Sequence, residues 1–339
     1  MKFDIALAPF SLSEVPALAR RAEALGADGL FTSETQHDPF LPLALAAEHT
    51  SRAELGTAVA IAFARSPMTV AYTSWDLAAQ SSGRFILGLG TQVKPHVERR
   101  FGMTWPESPA GKLREFIAAL RAIWQSWQTG ERLNFRGEHF KLTLMTPFFN
   151  PGDIKHPNIP IYIAGVNAPL IKLAGEAADG FHVHPYHTRR YLAEIILPNI
   201  EAGAAKAARS RSDVSIAATA FVVIGNNDVE RASMRDVMRS QVAFYASTPT
   251  YHPVMSLHGW DAQAEQLTAL AAKGGWAEMP KVVTDEMLAE FVVEGTWGDI
   301  GAKVRAKYNG LADRLALYLP FTLSENEENW KKVAEAVRG

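Results

Sequence analysis

The sequence predicts a (β/α)8 barrel, a single domain over residues 1–339 with insertions between strands four and five and between strands seven and eight. Three observations carry that prediction. Eight short apolar runs alternate with helical segments, the count such a barrel needs. The clearest run, Arg84-Phe85-Ile86-Leu87-Gly88-Leu89-Gly90, is bounded by turn residues and lies between two helices, as a buried parallel strand does. Apolar residues make up 47% of the 339 residues, ample for one large core. A doubly wound open sheet competes, but it usually has fewer strands, and no dinucleotide glycine fingerprint follows the first strand.

The elements follow in order. Lys2–Ala8 is the first strand, and Ser13–Leu25 a helix with Ser13 as N-cap and Gly26 past its end. Gly29–Ser33 is the second strand and Leu41–Thr50 a helix. Glu54–Ile61 is the third strand, followed by helix Pro67–Ala79, with Ser66 ahead of a proline at the first helical position. Phe85–Gly90 is the fourth strand. In the helix Gly111–Trp127, Leu113, Phe116, Ile117, Leu120, Ile123 and Trp124 recur at helical spacing. Leu133–Phe149 reads as a hairpin insertion. Ile159–Ala164 is the fifth strand, Ala168–Ala178 a helix, Gly180–His184 the sixth strand and Arg189–Ala208 a helix. Val214–Ile224 is the seventh strand, followed by helix Asp228–Phe244 and a long, mostly helical stretch to Asn309. Leu315–Leu319 is the eighth strand, and Asn326–Val337 closes the chain as a helix. Connections as long as these two are often lids or dimer surfaces.

Composition narrows the function. With 34 basic and 36 acidic residues the net charge is −2, which points to neither nucleic acid nor an anionic membrane as a partner. The chain has no cysteine, which excludes disulfides, thiolate metal sites, iron–sulfur clusters and thiol catalysis. Met1-Lys2-Phe3-Asp4 runs straight into a strand, without signal-peptide layout, and no apolar run reaches membrane-spanning length. A cytoplasmic enzyme is expected.

A barrel's active site lies at the carboxyl ends of its strands. Those ends here are Pro9-Phe10, Ser33 to Phe40, Ala58-Val59-Ala60-Ile61, Gly90-Thr91-Gln92, Ala164-Gly165-Val166-Asn167, His182-Val183-His184-Pro185, Gly225-Asn226 and Pro320-Phe321. Ionisable residues concentrate after strand two and on strand six. Small residues cluster at strands three to five, leaving room for a flat ring. Gly165-Val166-Asn167 leads into a helix whose first N–H groups can hold a phosphate. Together these suggest a site for a ring with a phosphate tail.

Four segments in order, Leu55-Gly56-Thr57-Ala58-Val59, Arg84 to Thr91, Pro160-Ile161-Tyr162-Ile163-Ala164-Gly165 and Ala178-Asp179-Gly180-Phe181, resemble the bacterial luciferase-like superfamily over nearly the whole chain. The resemblance implies a (β/α)8 barrel, usually dimeric, that uses FMN or the deazaflavin coenzyme F420. The segments Gln92 to Gly102 and Thr35 to Leu43 look most like the deazaflavin-dependent branch. That branch has a non-prolyl cis peptide behind the ring at the end of strand three, which corresponds to Ala58–Val59. The implied cofactor contacts are Ala58, Val59, Thr91, Gln92, Ala164, Gly165, Val166, Asn167 and His184. The implied reaction is hydride transfer between the deazaflavin C5 and a small organic substrate. The proton role falls to His37 and Glu34, then His184, because an imidazole titrates in the useful range and strand-end positions favour function.

Two departures limit the resemblance. The sugar-phosphate dehydrogenase of the branch carries Asp-His after strand two, where Glu34-Thr35 stands here with His37 further on. It keeps a glutamate two residues after the strand-four threonine, where this chain has Val93. Each site residue also has a plainer reading. Glu34 could bond backbone or a basic residue, and His37 could pack under Phe40. His182 and His184, two apart on one strand and followed by His187, lack a third metal ligand of known placement, so no metal is expected. Arg99-Arg100 suit either the acidic tail of the coenzyme or a solvated face. Trp105, Trp124 and Trp127 suit core or dimer interface, and Trp260, Trp276 and Trp297 suit a substrate lid or ordinary packing. The rival functions are an FMN-dependent two-component monooxygenase on the same barrel and a non-catalytic flavin-binding protein.

Overall fold

The computed structural model describes residues 1–8 and 11–339, so Pro9 and Phe10, expected at the end of the first strand, lie outside the described residues. Eight parallel strands form the barrel: β1 Lys2–Ala6, β2 Gly29–Thr32, β3 Glu54–Thr57, β4 Phe85–Gly90, β5 Ile161–Ala164, β6 Gly180–Val183, β7 Ser215–Ile224 and β8 Arg314–Leu317. Each pairs with its neighbour in sequence, and β8 returns to β1, so the sheet closes. β2 and β4 are buried along their whole length, as an apolar run with no polar alternation requires of a strand covered on both faces.

The main core lies between barrel and helices. A second, smaller cluster of Phe31, Ile86, Tyr162 and Ala217 fills the barrel interior from four different strands. At the amino-terminal mouth the buried Arg314 guanidinium reaches Asp4 Oδ1 at 2.7 Å and Oδ2 at 2.8 Å and also bonds Glu54. Burial opposes the arginine charge, but the Asp4 and Glu54 carboxylates outweigh it and push its pKa up. This plug leaves the opposite, carboxyl-terminal face for ligands.

Several element boundaries differ from expectation. The first helix is Val15–Ala24, entered through a tight turn at Leu12–Glu14, with Ser11 rather than Ser13 ahead of it. Ser66 caps its helix as expected, accepting the Thr69 N–H at 3.2 Å. β6 stops at Val183, so His184 stands just beyond the strand. β8 starts and ends earlier than Leu315–Leu319, and Leu7 bridges to Phe321 beyond the ends of β1 and β8.

The third strand is not the continuous Glu54–Ile61. Gly56 pairs with Ile86, whereas Ala60 pairs with Leu89, so β3 carries one residue more than β4 over this stretch. The extra residue makes a bulge at Thr57–Val59. The Ala58–Val59 peptide within it is cis. Thr57 Oγ1 stands in for the broken ladder, donating to Gly88 O at 2.6 Å and accepting the Gly88 N–H at 2.9 Å.

The insertion after β4 contains the expected hairpin, Phe135–Arg136 against Lys141–Leu142. The Glu115 carboxylate anchors its turn by accepting N–H groups of Glu138, His139 and Phe140. The stretch from Asp228 to Asn309 is not purely helical. β7 is ten residues long, and its upper half, Phe221–Ile224, pairs in parallel with a further strand, Val292–Gly295. That pairing ties the insertion to the barrel rim, and Tyr245 and Tyr251 of the same insertion pack on His184 just past β6. Among the described residues no helix is long and apolar enough to cross a membrane. Trp124 and Trp127 are core, Trp105 packs on Phe63 with centroids 5.8 Å apart, and Trp297 lies 6.0 Å from Trp330 of the last helix.

Candidate functional site

The bulge, β4 and β5 together shape a shallow floor at the carboxyl ends. A Cβ on Gly88 would collide with the Thr57 carbonyl oxygen and stand 2.9 Å from His182 Nε2. A Cβ on Gly90 would stand 2.6 Å from Val59 Cγ2. Both glycines therefore let the bulge close over β4, with Ala58 and Val59 half-exposed on top. Thr91 is buried beside them, and its Oγ1 donates to Gln92 O at 3.0 Å. Gln92 adopts φ +60, a conformation that favours glycine, and its own Oε1 accepts the Val93 N–H at 3.0 Å. At the end of β5, Ala164, and just past it Gly165 and Val166, are half-buried, and Asn167 caps the helix Ala168–Ala177 by accepting the Leu170 N–H at 3.3 Å. The floor of small residues and the helix amino terminus beside it suit a flat ring and an anionic tail.

The residues expected to move protons part company. Glu34 is not free. Its Oε2 accepts the Ile61 N–H at 2.7 Å and an Arg65 N–H at 2.6 Å, and its side chain is 7% exposed. It braces the loop after β2 against the segment after β3, which is the plainer of its two readings. His37 is exposed on that loop and does not pack under Phe40, which is itself buried. Asp38 starts the next helix by accepting the Phe40 N–H at 2.8 Å and pairs with Arg65 at 3.1 Å. Arg65, whose guanidinium also lies 5.4 Å from the Phe40 ring centre, is thus the organiser of this loop. Sequence reasoning missed it because a lone arginine after a strand carries no signal until its two carboxylates are brought to it.

His184, just past β6, lies in a cluster of rings with the insertion. Its centroid is 4.8 Å from Tyr245 and 4.7 Å from Tyr251. Burial, aided by neighbouring His187, pushes its pKa down to about 3, so the ring is neutral. The Tyr186 N–H donates to its Nδ1 at 3.1 Å. A backbone N–H only donates, so the ring proton sits on Nε2, which donates to Tyr251 Oη at 3.1 Å. His187 is neutral too, at about 4 through burial. Its Nδ1–H donates to His184 O at 2.7 Å, and its Nε2 accepts the Tyr308 hydroxyl at 3.0 Å. A narrow cavity touches Gly165, Val166, His184, Tyr186, His187 and Tyr251. The Tyr186 hydroxyl, buried against it, has no hydrogen-bond partner among the described residues. Among the described residues no group of three or more His, Cys, Asp or Glu is placed to hold a metal ion.

The fold and the site define a barrel protein whose ligand face is built from the carboxyl ends of its strands. The family model described as luciferase-like monooxygenase matches residues 3–314, and the chain belongs to that family. It is 32% identical over 312 residues to the 5,10-methylenetetrahydromethanopterin reductase of Archaeoglobus fulgidus, covering 88% of each chain. It is 32% identical over 209 residues to the F420-dependent glucose-6-phosphate dehydrogenase of Intrasporangium calvum, covering 57% of this chain and 60% of that one. The solved structure of the coenzyme F420-dependent tetrahydromethanopterin reductase from Methanopyrus kandleri has the same fold, with a TM-score of 0.79 at 22% identity over 99% of this chain and 98% of that one.

Proposed function

We propose that the protein is a coenzyme F420-dependent oxidoreductase acting on a small organic substrate. The observation that carries this reading is the floor at the bulge, where Gly88 and Gly90 leave no room for a Cβ and Ala58–Val59 lies across β4. Relatives that act with the deazaflavin, by name, support it. When bound, the deazaflavin supplies or accepts a hydride at C5. Ala58, Val59 and Thr91 would lie against the ring, with Gln92 at its edge. Ala164, Gly165, Val166 and Asn167 would hold its phosphate at the helix amino terminus. His184 and its ring cluster would wall the substrate side. Glu34 acts on this site by holding the loop after β2, which carries His37 towards solvent. We read residues 1–339 as one domain that works as a cytoplasmic homodimer, which gel-filtration mass tests.

The deciding experiment measures binding of oxidised and reduced deazaflavin and of FMN to the purified protein. Micromolar deazaflavin affinity with negligible FMN binding is expected. FMN binding alone would place the protein with the FMN-dependent monooxygenases instead, and tight flavin binding without turnover would make it a carrier.

A further inference from the structure

The helix Leu41–His49 is apolar on every side. It opens Leu41-Pro42-Leu43-Ala44-Leu45-Ala46-Ala47 and buries Pro42, Leu43, Ala46 and Ala47 against the barrel. Leu41 and Ala44 are left exposed and Leu45 half-buried. A helix hydrophobic all round belongs under cover all round. Beside it packs the helix Pro67–Gln80, with Met68 and Tyr72 half-buried on its outer side. Neither helix contains a lysine or an arginine, and their only acids are Glu48 and Asp76. The last helix, Glu327–Arg338, is a solvated outer helix by contrast, with Lys331, Lys332, Glu335 and Arg338 all exposed. Depletion of charge with enrichment of aromatic residues and methionine marks the centre of a protein interface.

The segment after the hairpin adds aromatic surface to the same side of the barrel. Phe148 and Phe149 meet edge to face, with centroids 5.1 Å apart. Rings on the neighbouring helices fix the backbone beneath them. Tyr72 Oη donates to Phe149 O at 2.8 Å, Trp75 Nε1 to Gly152 O at 3.1 Å and Trp127 Nε1 to Met145 Sδ at 3.4 Å. Leu41, Leu144, Phe148 and Phe149 are 56, 76, 89 and 58% exposed, together on the order of 500 Å² of apolar surface. That lies at the upper end of what a monomer leaves bare, about 300–600 Å². A stable dimer takes about 800 Å² from each partner, and Ala44, Leu45, Met68 and Tyr72 extend the face towards that area.

We propose, on the homodimer reading above, that this face is the two-fold interface between two copies of the chain. An apolar face with little charge is complementary to itself, as an isologous contact requires. Without lysine or arginine, the two helices offer nothing to nucleic acid or to an anionic lipid headgroup. Because the backbone under Phe148 and Phe149 is already fixed, docking orders little that was free. Leu41 follows directly on the loop after β2 that carries His37 and Asp38, so the contact reaches the rim of the ligand face.

Sedimentation velocity across a dilution series tests the face. The wild type should run at twice the chain mass. Leu144→Asp combined with Phe148→Asp should weaken the dimer by roughly a hundredfold or more. Both positions are exposed, so the far-UV circular dichroism spectrum should not change. Trp276→Ser removes another exposed ring, on the second insertion, and should leave the dimer intact. Because the chain has no cysteine, Ala44→Cys takes a single nitroxide label. That label should be immobilised in the dimer and mobile on dilution to monomer. A dimer that persists in the double variant, equal dissociation in Trp276→Ser, or a label that stays mobile in the dimer would each overturn this face while leaving the homodimer reading intact. A wild type that sediments as a monomer throughout would sink both. A monomer that binds phosphatidylcholine vesicles, with binding lost in Phe148→Asp, would make the face a lipid contact and overturn the proposal.

Discussion

A Cβ on Gly88 would meet the Thr57 carbonyl oxygen on one side and His182 on the other, with only backbone and a packed imidazole to give way. Gly88→Ala should therefore destabilise the protein by about 1–3 kcal/mol, the usual cost of overpacking, and weaken coenzyme binding by lifting the bulge. Urea unfolding and a coenzyme titration on the same variant check both effects. Thr57 is the complementary position. Its hydroxyl serves both the N–H and the carbonyl of Gly88 inside the barrel. Thr57→Val keeps the shape and removes the partner, leaving two buried backbone groups unsatisfied. A loss of about 2 kcal/mol or more is expected from the urea midpoint, and a variant within 0.5 kcal/mol (~ the spread of neutral changes) would show that water replaces the hydroxyl.

At the scale of elements, the loop after β2 depends on Arg65. Removing it strands the Glu34 carboxylate, whose other partner is the Ile61 N–H, and frees Asp38 from one of its bonds. Because Arg65 is partly exposed, the cost of Arg65→Met should fall below the buried-pair range, on the order of 2 kcal/mol. The sharper expectation is kinetic: backbone amides of residues 34–38 should exchange faster in hydrogen-exchange measurements while those of β5 and β6 do not change. The second insertion shows the opposite arrangement. Its strand Val292–Gly295 continues the β7 ladder above the barrel rim, while Tyr245 and Tyr251 sit on the helix Asp228–Ala246 and the turn after it. Here the sequence was legible in part only. Phe291-Val292-Val293 is a short apolar run with no turn signal before it, and its partner is seventy residues away in a strand already counted.

The whole molecule is closed at its amino-terminal mouth by charge. Arg314→Met would leave buried Asp4 without its cation, while Glu54 keeps Lys2, a loss of roughly 3–5 kcal/mol for a broken buried pair. Coenzyme affinity of the folded variant should hold, because the plug is at the other end from the site, and a parallel loss of affinity would show the two ends to be coupled. Acid acts on the molecule through its buried histidines. His182, His184 and His187 fall from 6.5 to about 3, 3 and 4 on folding, chiefly by burial. Between those values and 6.5 the unfolded chain binds protons that the folded one refuses. Stability is then complete above pH ~6.5 and declines as the pH falls towards 4, by about 1.4 kcal/mol per unit for each such group. Urea midpoints should drop from pH 7 to pH 5, and His182→Gln should flatten the slope. A midpoint that rises on acidification would contradict neutral, buried imidazoles.

The sequence by itself determined the barrel, the order of its strands and the place of its floor. These rest on local signals: apolar runs, glycines at strand ends, a serine ahead of a proline, and small residues at the ends of β3 to β5. A parallel strand buried on both faces has to be apolar wherever it sits, so its identity can be read without its neighbours. Roles at the site could not be read in that way. Glu34 and Asp38 on the loop after β2 meet Arg65 from the segment after β3, and only that meeting turns a strand-end carboxylate into a brace. The bulge at Thr57–Val59 depends on the β4 register, which no property of β3 alone records. His184 was visible as a residue at a strand end, but its protonation and its partner come from a backbone N–H two residues on and a tyrosine sixty-seven residues away. Tertiary structure decided these because a hydrogen bond's direction and a pKa depend on the groups packed around an atom, and distant parts of the chain supply them.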